Sequence, residues 1–196
     1  MRFWKSAPDV CARFWRRLLL LLGAGWVLLA LAAPLGVKQA QLEPVDEGYE
    51  LNAEFAVDFP PPVAEAVARG VTLHFTAEFE LSRSRWYWFD EVAARRREVY
   101  QLSFQPLTRQ YRLTVGALHQ NFARLDDAVR QLGRLRRWVV IDRREIKPGK
   151  VYQAALRLEL DKALLPKPFQ LTALANGDWD LDSGWHRWTF RPGDAK

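Results

Sequence analysis

The chain has 196 residues, of which 49% are hydrophobic and 13% aromatic, and its formal net charge is +6. This hydrophobic content excludes an intrinsically disordered protein, and the length is that of one domain. Residues 1–17 carry a net charge of +4, so the rest is nearly neutral, and the charge does not indicate a nucleic-acid-binding domain.

A basic segment followed by an apolar one opens the chain, in the order typical of export signals. The uncharged run Leu18–Val37 has twenty residues, about 30 Å as a helix, which matches a bilayer core and favours a signal anchor. The small-x-small tripeptide at 30–32 and the following Pro34 instead favour cleavage after residue 32. We predict that residues 1–37 are a signal peptide or signal anchor. In both cases the remainder lies in the periplasm, free or anchored to the inner membrane.

Cysteine and histidine are too few and too scattered for a disulfide or a metal site. The one cysteine, Cys11, precedes the apolar run, so no disulfide can form within the exported part. His74, His119 and His186 have no neighbours at ligand spacing. We therefore expect no metal and no cofactor, and we expect packing alone to stabilise the domain.

The segments that follow the apolar run alternate between linker, strand and helix patterns. Residues 38–48 are polar and contain proline and glycine, which predicts a linker. Apolar residues alternate with polar ones at 49–59 and again at 71–81, which predicts two half-buried strands. Between them, two valines at i, i+4 predict a short helix that ends near Gly70.

The remainder predicts a mainly β fold with one amphipathic helix. Apolar residues at helical spacing place that helix at 121–136. Further strands are expected at residues 99–105, 110–117, 138–142, 151–160, 169–175 and 185–190. Strands with one polar face are best buried by packing two sheets together, so we predict an antiparallel β-sandwich-like domain over 49–190 and a tail at 191–196. The alternative is one strongly curved sheet wrapped around the helix.

The stretch LSRSRWYWFDE at 81–91 places four aromatic residues directly after two arginines. In an extended chain Trp86 and Trp88 share one face, and the other two rings share the opposite face with Arg83 and Arg85. Three interpretations stay open. The stretch is a strand buried on both faces, an exposed platform for a sugar ring or a partner's apolar side chain, or a contact with the membrane surface. Arg83, Arg85, Trp86 and Trp88 are therefore candidate binding residues.

A second aromatic group, DWDLDSGWHRWTF at 178–190, interleaves tryptophans with aspartates. Trp185 in this group is a further candidate binding residue. A calcium loop is not indicated, because the glycine and the distal glutamate that such a loop needs are absent. An alternative function uses Asp178 and Asp182 as the carboxylates of an envelope glycan hydrolase. The serines fit no hydrolase motif, and we name no catalytic residue.

Two arginine-rich clusters, at 95–97 and 134–144, are partly offset by neighbouring acidic residues. Solvated strand or helix faces explain such clusters without any function. The alternative is a contact with anionic phospholipid head groups or with an acidic partner.

Five segments carry a resemblance to a known family. They are GYELNAEF, RGVTLHFTAEFELSRSRWYWFDE, LTRQYRLTVGALHQNFARLDDAV, YQAALRLELDKALLPKPFQL and DWDLDSGWHRWTF. Together they resemble a proteobacterial family of exported proteins, domain of unknown function 4390, in order from Tyr49 to Phe190. The resemblance implies a small exported or membrane-anchored protein and a link to a membrane sensor histidine kinase system. It implies no activity, cofactor or catalytic residue.

Taken together, these features predict a binding or interaction module of the envelope that is not an enzyme. The expected partner is an envelope protein or a membrane component, and nucleic acid is not expected outside the cytoplasm. The N-terminal helix adds a membrane contact if it is not cleaved.

Overall fold

The structure is a computed structural model that describes residues 35–85 and 88–193, without the side chains of residues 84, 85 and 88–90. The predicted signal segment lies outside the described residues, except for positions 35–37. Within the described ranges, none of the helices combines the length and the apolar character needed to cross a membrane.

Nine strands and three α-helices form the described part of the chain. The strands are β1 (Leu35–Val45), β2 (Gly48–Val57), β3 (Leu73–Arg85), β4 (Trp88–Gln105), β5 (Gln110–Val115), β6 (Leu118–Phe122), β7 (Arg134–Asp142), β8 (Tyr152–Leu160) and β9 (His186–Phe190). The helices are α1 (Pro61–Ala68), α2 (Leu125–Leu132) and α3 (Lys167–Ala175). Short 3-10 helices lie at Arg143–Glu145, Lys162–Leu164 and Gly177–Trp179.

The strands form two antiparallel sheets that share one core. The small sheet has the order β1-β2-β7, and the large sheet has the order β6-β5-β4-β3-β8-β9. Alternating apolar residues of β2 and β3 face each other across the core, where Phe75 and Phe79 are fully buried. Burial of apolar area on both inner faces is the main force that holds the sheets together. The predicted mainly β, sandwich-like fold is confirmed.

Two ring pairs define the ends of the sandwich. At the near end, Phe59, just beyond β2, stacks on Phe75 of β3 with ring centres 5.7 Å apart. The first described residue, Leu35, also lies at this end, since it pairs with Val57. At the far end, Tyr49 meets Phe190 edge to face, with ring centres 4.9 Å apart. The chain therefore enters the domain at the near end.

The predicted linker at 38–48 is wrong, because these residues form most of β1 and the turn into β2. As an edge strand, β1 pairs on one side only, and most of its side chains are partly or fully exposed. A half-exposed edge strand has few apolar residues, so its sequence looks like that of a linker. Leu35, which is buried, belongs to this strand and not to the end of the apolar run. The domain therefore starts earlier than the predicted residue 49.

The strand predicted at 169–175 is also wrong, because the segment forms α3. Pro166 caps this helix and Pro168 lies in its first turn, where proline is well tolerated. Only Ala173 of α3 is buried, so the helix has no strong apolar stripe that would reveal its period.

The predicted amphipathic helix at 121–136 exists but is shorter, and the strands β6 and β7 take up its two ends. Gly133 ends the helix close to β2, where the amide of Phe55 donates to the Gly133 carbonyl at 2.8 Å. This bond joins the helix C-terminus to the small sheet, and the chain then continues as β7. The side-chain spacing cannot reveal such a long-range backbone bond.

Candidate binding face of the large sheet

The face of the large sheet that points away from the core carries rows of opposite charges. The register places Arg97 opposite Glu78, and Glu78 opposite Arg157. In the next row, Arg95 lies opposite Glu80. Residues directly opposite in an antiparallel pair project from the same face, so these side chains share one surface. We call it the outer face.

Ion pairs hold the guanidinium groups of the outer face in place. Arg97 pairs with Glu78, and Arg95 pairs with Glu80. Arg157 donates to both carboxylate oxygens of Asp182, at 2.8 and 2.7 Å. Such two-point contacts fix the plane of a guanidinium group, so the polar heads are oriented before any ligand arrives.

Trp185 lies on the same surface, immediately before β9. The pairing of Leu156 with His186 brings Trp185 beside Arg157. The guanidinium carbons of Arg157 and Arg187 both lie 6.0 Å from the centre of its indole ring. Both are at the distance of a cation–π contact. Arg187 forms no ion pair among the described residues, so its charge is available to a ligand.

A cleft of about 270 Å³ opens in front of this tryptophan. Its lining consists of Glu78, Phe79, Glu80, Arg95, Arg96, Arg97 and Trp185. Ala155, opposite Glu80, places only a methyl group in the row, so the surface is depressed there. The cleft joins an aromatic ring to paired donors and acceptors, which suits binding of a polar group with an apolar face.

A comparison with models of known protein families identifies the family to which the chain belongs. The family model "Domain of unknown function (DUF4390)" matches residues 32–189. The chain belongs to this family. The match includes β1 and most of β9, so it covers both sheets. No curated protein and no solved structure matches the chain.

Of the candidate binding residues of this DUF4390 domain, Trp185 and Arg83 have described side chains, and these two lie in different parts of the large sheet. Trp185 is on the outer face, as described above. Arg83 pairs with Glu91 beyond the point where β3 leaves β8, towards the far end. Trp86 and the side chains of Arg85 and Trp88 lie outside the described residues. The backbone at 81–85 and 88–91 is extended, but whether the tryptophans form a platform stays a prediction.

The structure adds candidate binding residues that the sequence does not single out, namely Glu78, Glu80, Arg157 and Arg187. Arg95 and Arg97, which also line the cleft, belong to the arginine cluster that the sequence marks. Alternation in the predicted strand at 71–81 assigns the two glutamates to its polar face. Their partners come from other strands, and the register that brings them together is a tertiary property.

The arginine cluster at 95–97 is divided between the two faces of the DUF4390 sheet. Arg95 and Arg97 point outwards, whereas Arg96 lies opposite the buried Phe79 on the inner face. Arg96 donates to both oxygens of Glu145 at 2.8 Å, and thereby ties the large sheet to the segment after β7. In this cluster, carboxylates of neighbouring segments neutralise all three charges.

The aspartates of the C-terminal aromatic group are all bonded to neighbours. Asp182 binds Arg157, Asp180 pairs with Lys162, and Asp178 accepts from Asn176 at 2.9 Å. The hydrogen bonds from Arg157 lower the pKa of Asp182, which keeps it ionised. A carboxylate held in this way is a poor general acid. Across residues 35–85 and 88–193, no three potential ligand side chains converge on a metal position.

Glu159 has the opposite electrostatic environment. Partial burial raises the pKa of this carboxyl, Arg157 opposes the rise, and Glu78 and Asp182 reinforce it. Because the folded protein binds this proton more tightly than the unfolded chain, the charge of Glu159 destabilises the fold once the pH exceeds the unfolded pKa of about 4.5.

We expect Glu159→Gln to be more stable than the wild type at pH 7, by less than about 1 kcal/mol, as is typical of partly exposed charges. The gain should disappear below about pH 4.5, where Glu159 is protonated in both states.

Asp182→Asn is the matched control, for which the expected change in the free energy of unfolding has the opposite sign. It should destabilise the domain at pH 7 because it removes the carboxylate that Arg157 stabilises. Urea unfolding at several pH values measures both, and a loss of stability in Glu159→Gln at pH 7 would contradict this account.

Proposed function

We propose that this chain is a binding module of the cell envelope that is not an enzyme, and that it recognises an envelope protein through the outer face around Trp185. The observation that carries the proposal is the half-buried indole of Trp185 within cation–π distance of both Arg157 and Arg187, at the edge of a cleft with oriented polar groups. Tryptophan and arginine are the residues most enriched where binding energy concentrates at protein interfaces.

The charges of the outer face support a binding role over a catalytic one. Glu78, Glu80 and Asp182 are each paired with an arginine, so none is a free acid or base. Such pairs suit recognition, because a charged side chain of the partner protein can replace one member of an ion pair. The other member then still has an opposite charge beside it when the interface is buried. Arg187 remains free to attract a carboxylate of the partner.

For the location we propose the periplasm, or attachment to the inner membrane facing the periplasm. The support comes from the sequence, in which five basic residues precede a long uncharged run. N-terminal sequencing of the mature protein distinguishes the two forms. A new N-terminus near residue 33 indicates cleavage, and an intact N-terminus indicates an anchor.

A membrane sensor kinase system is the partner that we propose to test first, because the family resemblance implies that link. The test is photocrosslinking in intact cells, with the crosslinking residue at position 187, followed by mass spectrometry. The same residue at position 112, on β5 and away from the cleft, is the control. Crosslinks of equal yield at both positions, or none at 187, would count against the proposal.

We expect Trp185→Ala to weaken partner binding by about 30-fold, because loss of a central aromatic residue costs about 2 kcal/mol at an interface. Trp185→Phe keeps an aromatic ring and should retain most of the affinity. Val99→Ala on the same outer face is the control for a general surface effect. Binding is measured by titration of the identified partner, and unchanged affinity in Trp185→Ala would remove the proposed centre of the site.

The glycan hydrolase alternative stays a hypothesis. The bonded state of Asp178 and Asp182 does not favour it. Turnover of cell-wall fragments by the purified chain, lost in Asp182→Asn, would revive it.

A further inference from the structure

Four of the five exposed leucines in the described part of the chain follow strand ends that lie at or beyond the row of Phe75, at the near end of the sandwich. Leu107 is in the turn between β4 and β5, Leu164 is in the 3-10 helix after β8, and Leu171 and Leu174 are on α3. Their exposed fractions range from 53% to 101%. The fifth, Leu118, lies in the row of Phe75 itself, since Leu118 pairs with Val115, Val115 with Tyr100, and Tyr100 with Phe75.

Strand register brings the four leucines to the same end. The β4–β5 turn lies beyond Leu102, which pairs with Leu73 at the start of β3. β8 ends at Leu160, opposite Phe75, and the chain then runs directly into the segment with the other three leucines. Phe75 is the residue that defines the near end. We call these four leucines, with Arg109 and Lys167, the near-end patch.

Helix α3 presents its apolar residues to solvent. Lys167, Leu171 and Leu174 follow at i, i+4 and i+7, which places them along one side of the helix. All three are exposed, whereas Ala173 is buried and Phe169 packs on Trp179 with ring centres 5.9 Å apart. A surface helix of a monomer normally turns charged residues outwards. Two exposed leucines on one side of a surface helix therefore indicate a surface that something covers.

The position and the charge of the near-end patch indicate what covers it. Leu35, where the chain enters the domain, lies at the same end, and the residues before it form the uncharged run of the sequence. Arg109 and Lys167 are exposed and form no ion pair among the described residues. Leucines flanked by unpaired cations match a bilayer surface, where acyl chains lie just below phosphate groups.

We propose that the near-end patch binds the surface of a lipid bilayer. The four leucines insert shallowly at the boundary of the acyl chains, and Arg109 and Lys167 contact lipid phosphates. This contact holds the near end against the membrane and turns the far end, where Tyr49 meets Phe190, away from it. The outer face around Trp185 then stands beside the membrane and stays open to a partner. The proposal concerns a different surface and a different ligand from the proposed function, and it does not depend on it.

The test uses the full chain in vesicles of phosphatidylethanolamine and phosphatidylglycerol. In a Cys11→Ser background, Leu171→Cys carries an environment-sensitive fluorophore, and brominated lipids quench the fluorophore where it enters the bilayer. Val151→Cys is the matched control, since Val151 is also an exposed apolar residue but lies at the far end, directly before Tyr152, which pairs with Phe190. We expect a blue shift and strong quenching at position 171 and little of either at position 151. Equal quenching at both positions, or none at 171, would overturn the proposal.

Two further measurements make the outcome decisive. Vesicles without phosphatidylglycerol, and a Lys167→Glu variant, should both reduce quenching at position 171, because the cations then lose their phosphate partners. A blue shift at 171 that needs no lipid and grows with protein concentration would show that a second copy covers the patch, which overturns the proposal. If the label at 171 lowers the Tm, a label at position 164 replaces it.

Discussion

Gly48→Ala is expected to lower the free energy of unfolding by about 3 kcal/mol, the upper range for overpacked positions. A Cβ atom at this position would lie 1.9 Å from the carbonyl oxygen of Ile141, which no side-chain movement can relieve because the neighbour is backbone. Gly48 begins β2 and pairs with Asp142 of β7, so the small sheet would have to open at the far end. The measurement is urea unfolding of the full chain in a mild detergent, with tryptophan fluorescence as the signal that monitors unfolding.

Gly36→Ala is the matched control for this effect. Gly36 also lies in the small sheet, but a Cβ atom there would meet nothing within 4 Å. Since alanine restricts the unfolded chain more than glycine does, this variant should be neutral or slightly stabilising. Equal destabilisation by both substitutions would show that close approach to Ile141 is not the cause.

Phe75→Ala is expected to destabilise the domain by about 3–5 kcal/mol, the range for loss of a buried phenylalanine. Phe75 is fully buried and stacks on Phe59, which joins the end of β2 to the start of β3. Its removal leaves a cavity between the two sheets that the surrounding strands cannot fill by small shifts. The same unfolding measurement applies.

Val99→Ala serves as the comparison for Phe75→Ala. Val99 lies on the neighbouring strand opposite Thr76, but 44% of it is exposed. We expect a loss well under about 1 kcal/mol, as for most surface substitutions. Similar losses of unfolding free energy at the two positions would mean that Phe75 is not closely packed between the two sheets.

The Phe75→Ala variant also bears on the proposed binding face. Glu78 and Glu80 point outwards from the strand whose inward residues are Phe75 and Phe79. Packing of the phenylalanines therefore sets the height and spacing of the glutamates opposite Arg97 and Arg95. A rigid sheet keeps these ion pairs oriented at little cost when a partner binds.

Clean alternation made part of the fold predictable. The strands expected at 49–59, 71–81, 151–160 and 185–190 correspond to β2, β3, β8 and β9, since each has one face in the core. Where a strand is mostly exposed, as in β1, alternation is hidden. Helix α3 was missed for a related reason, because it buries one alanine and shows solvent its leucines. Periodicity reveals an element only where one face is buried.

The candidate site was predictable to a smaller extent. Trp185 was expected to bind and does border the cleft, whereas Arg83 lies elsewhere on the sheet. Arg157 and Arg187 come from strands far from Glu78 in sequence, and nothing local marks them. Their meeting depends on the order β4-β3-β8-β9, which places four strands side by side.

The amino-acid sequence alone established a nearly neutral, mainly β domain without disulfides, preceded by a basic and apolar segment, because composition and local alternation carry that information. Three-dimensional packing determined the rest. It placed Trp185 beside two arginines, paired the outer-face carboxylates with guanidinium groups, and left four exposed leucines at the near end of the sandwich. These features depend on strand order and register, which arise from burial across the two sheets and not from the neighbours of any residue along the chain.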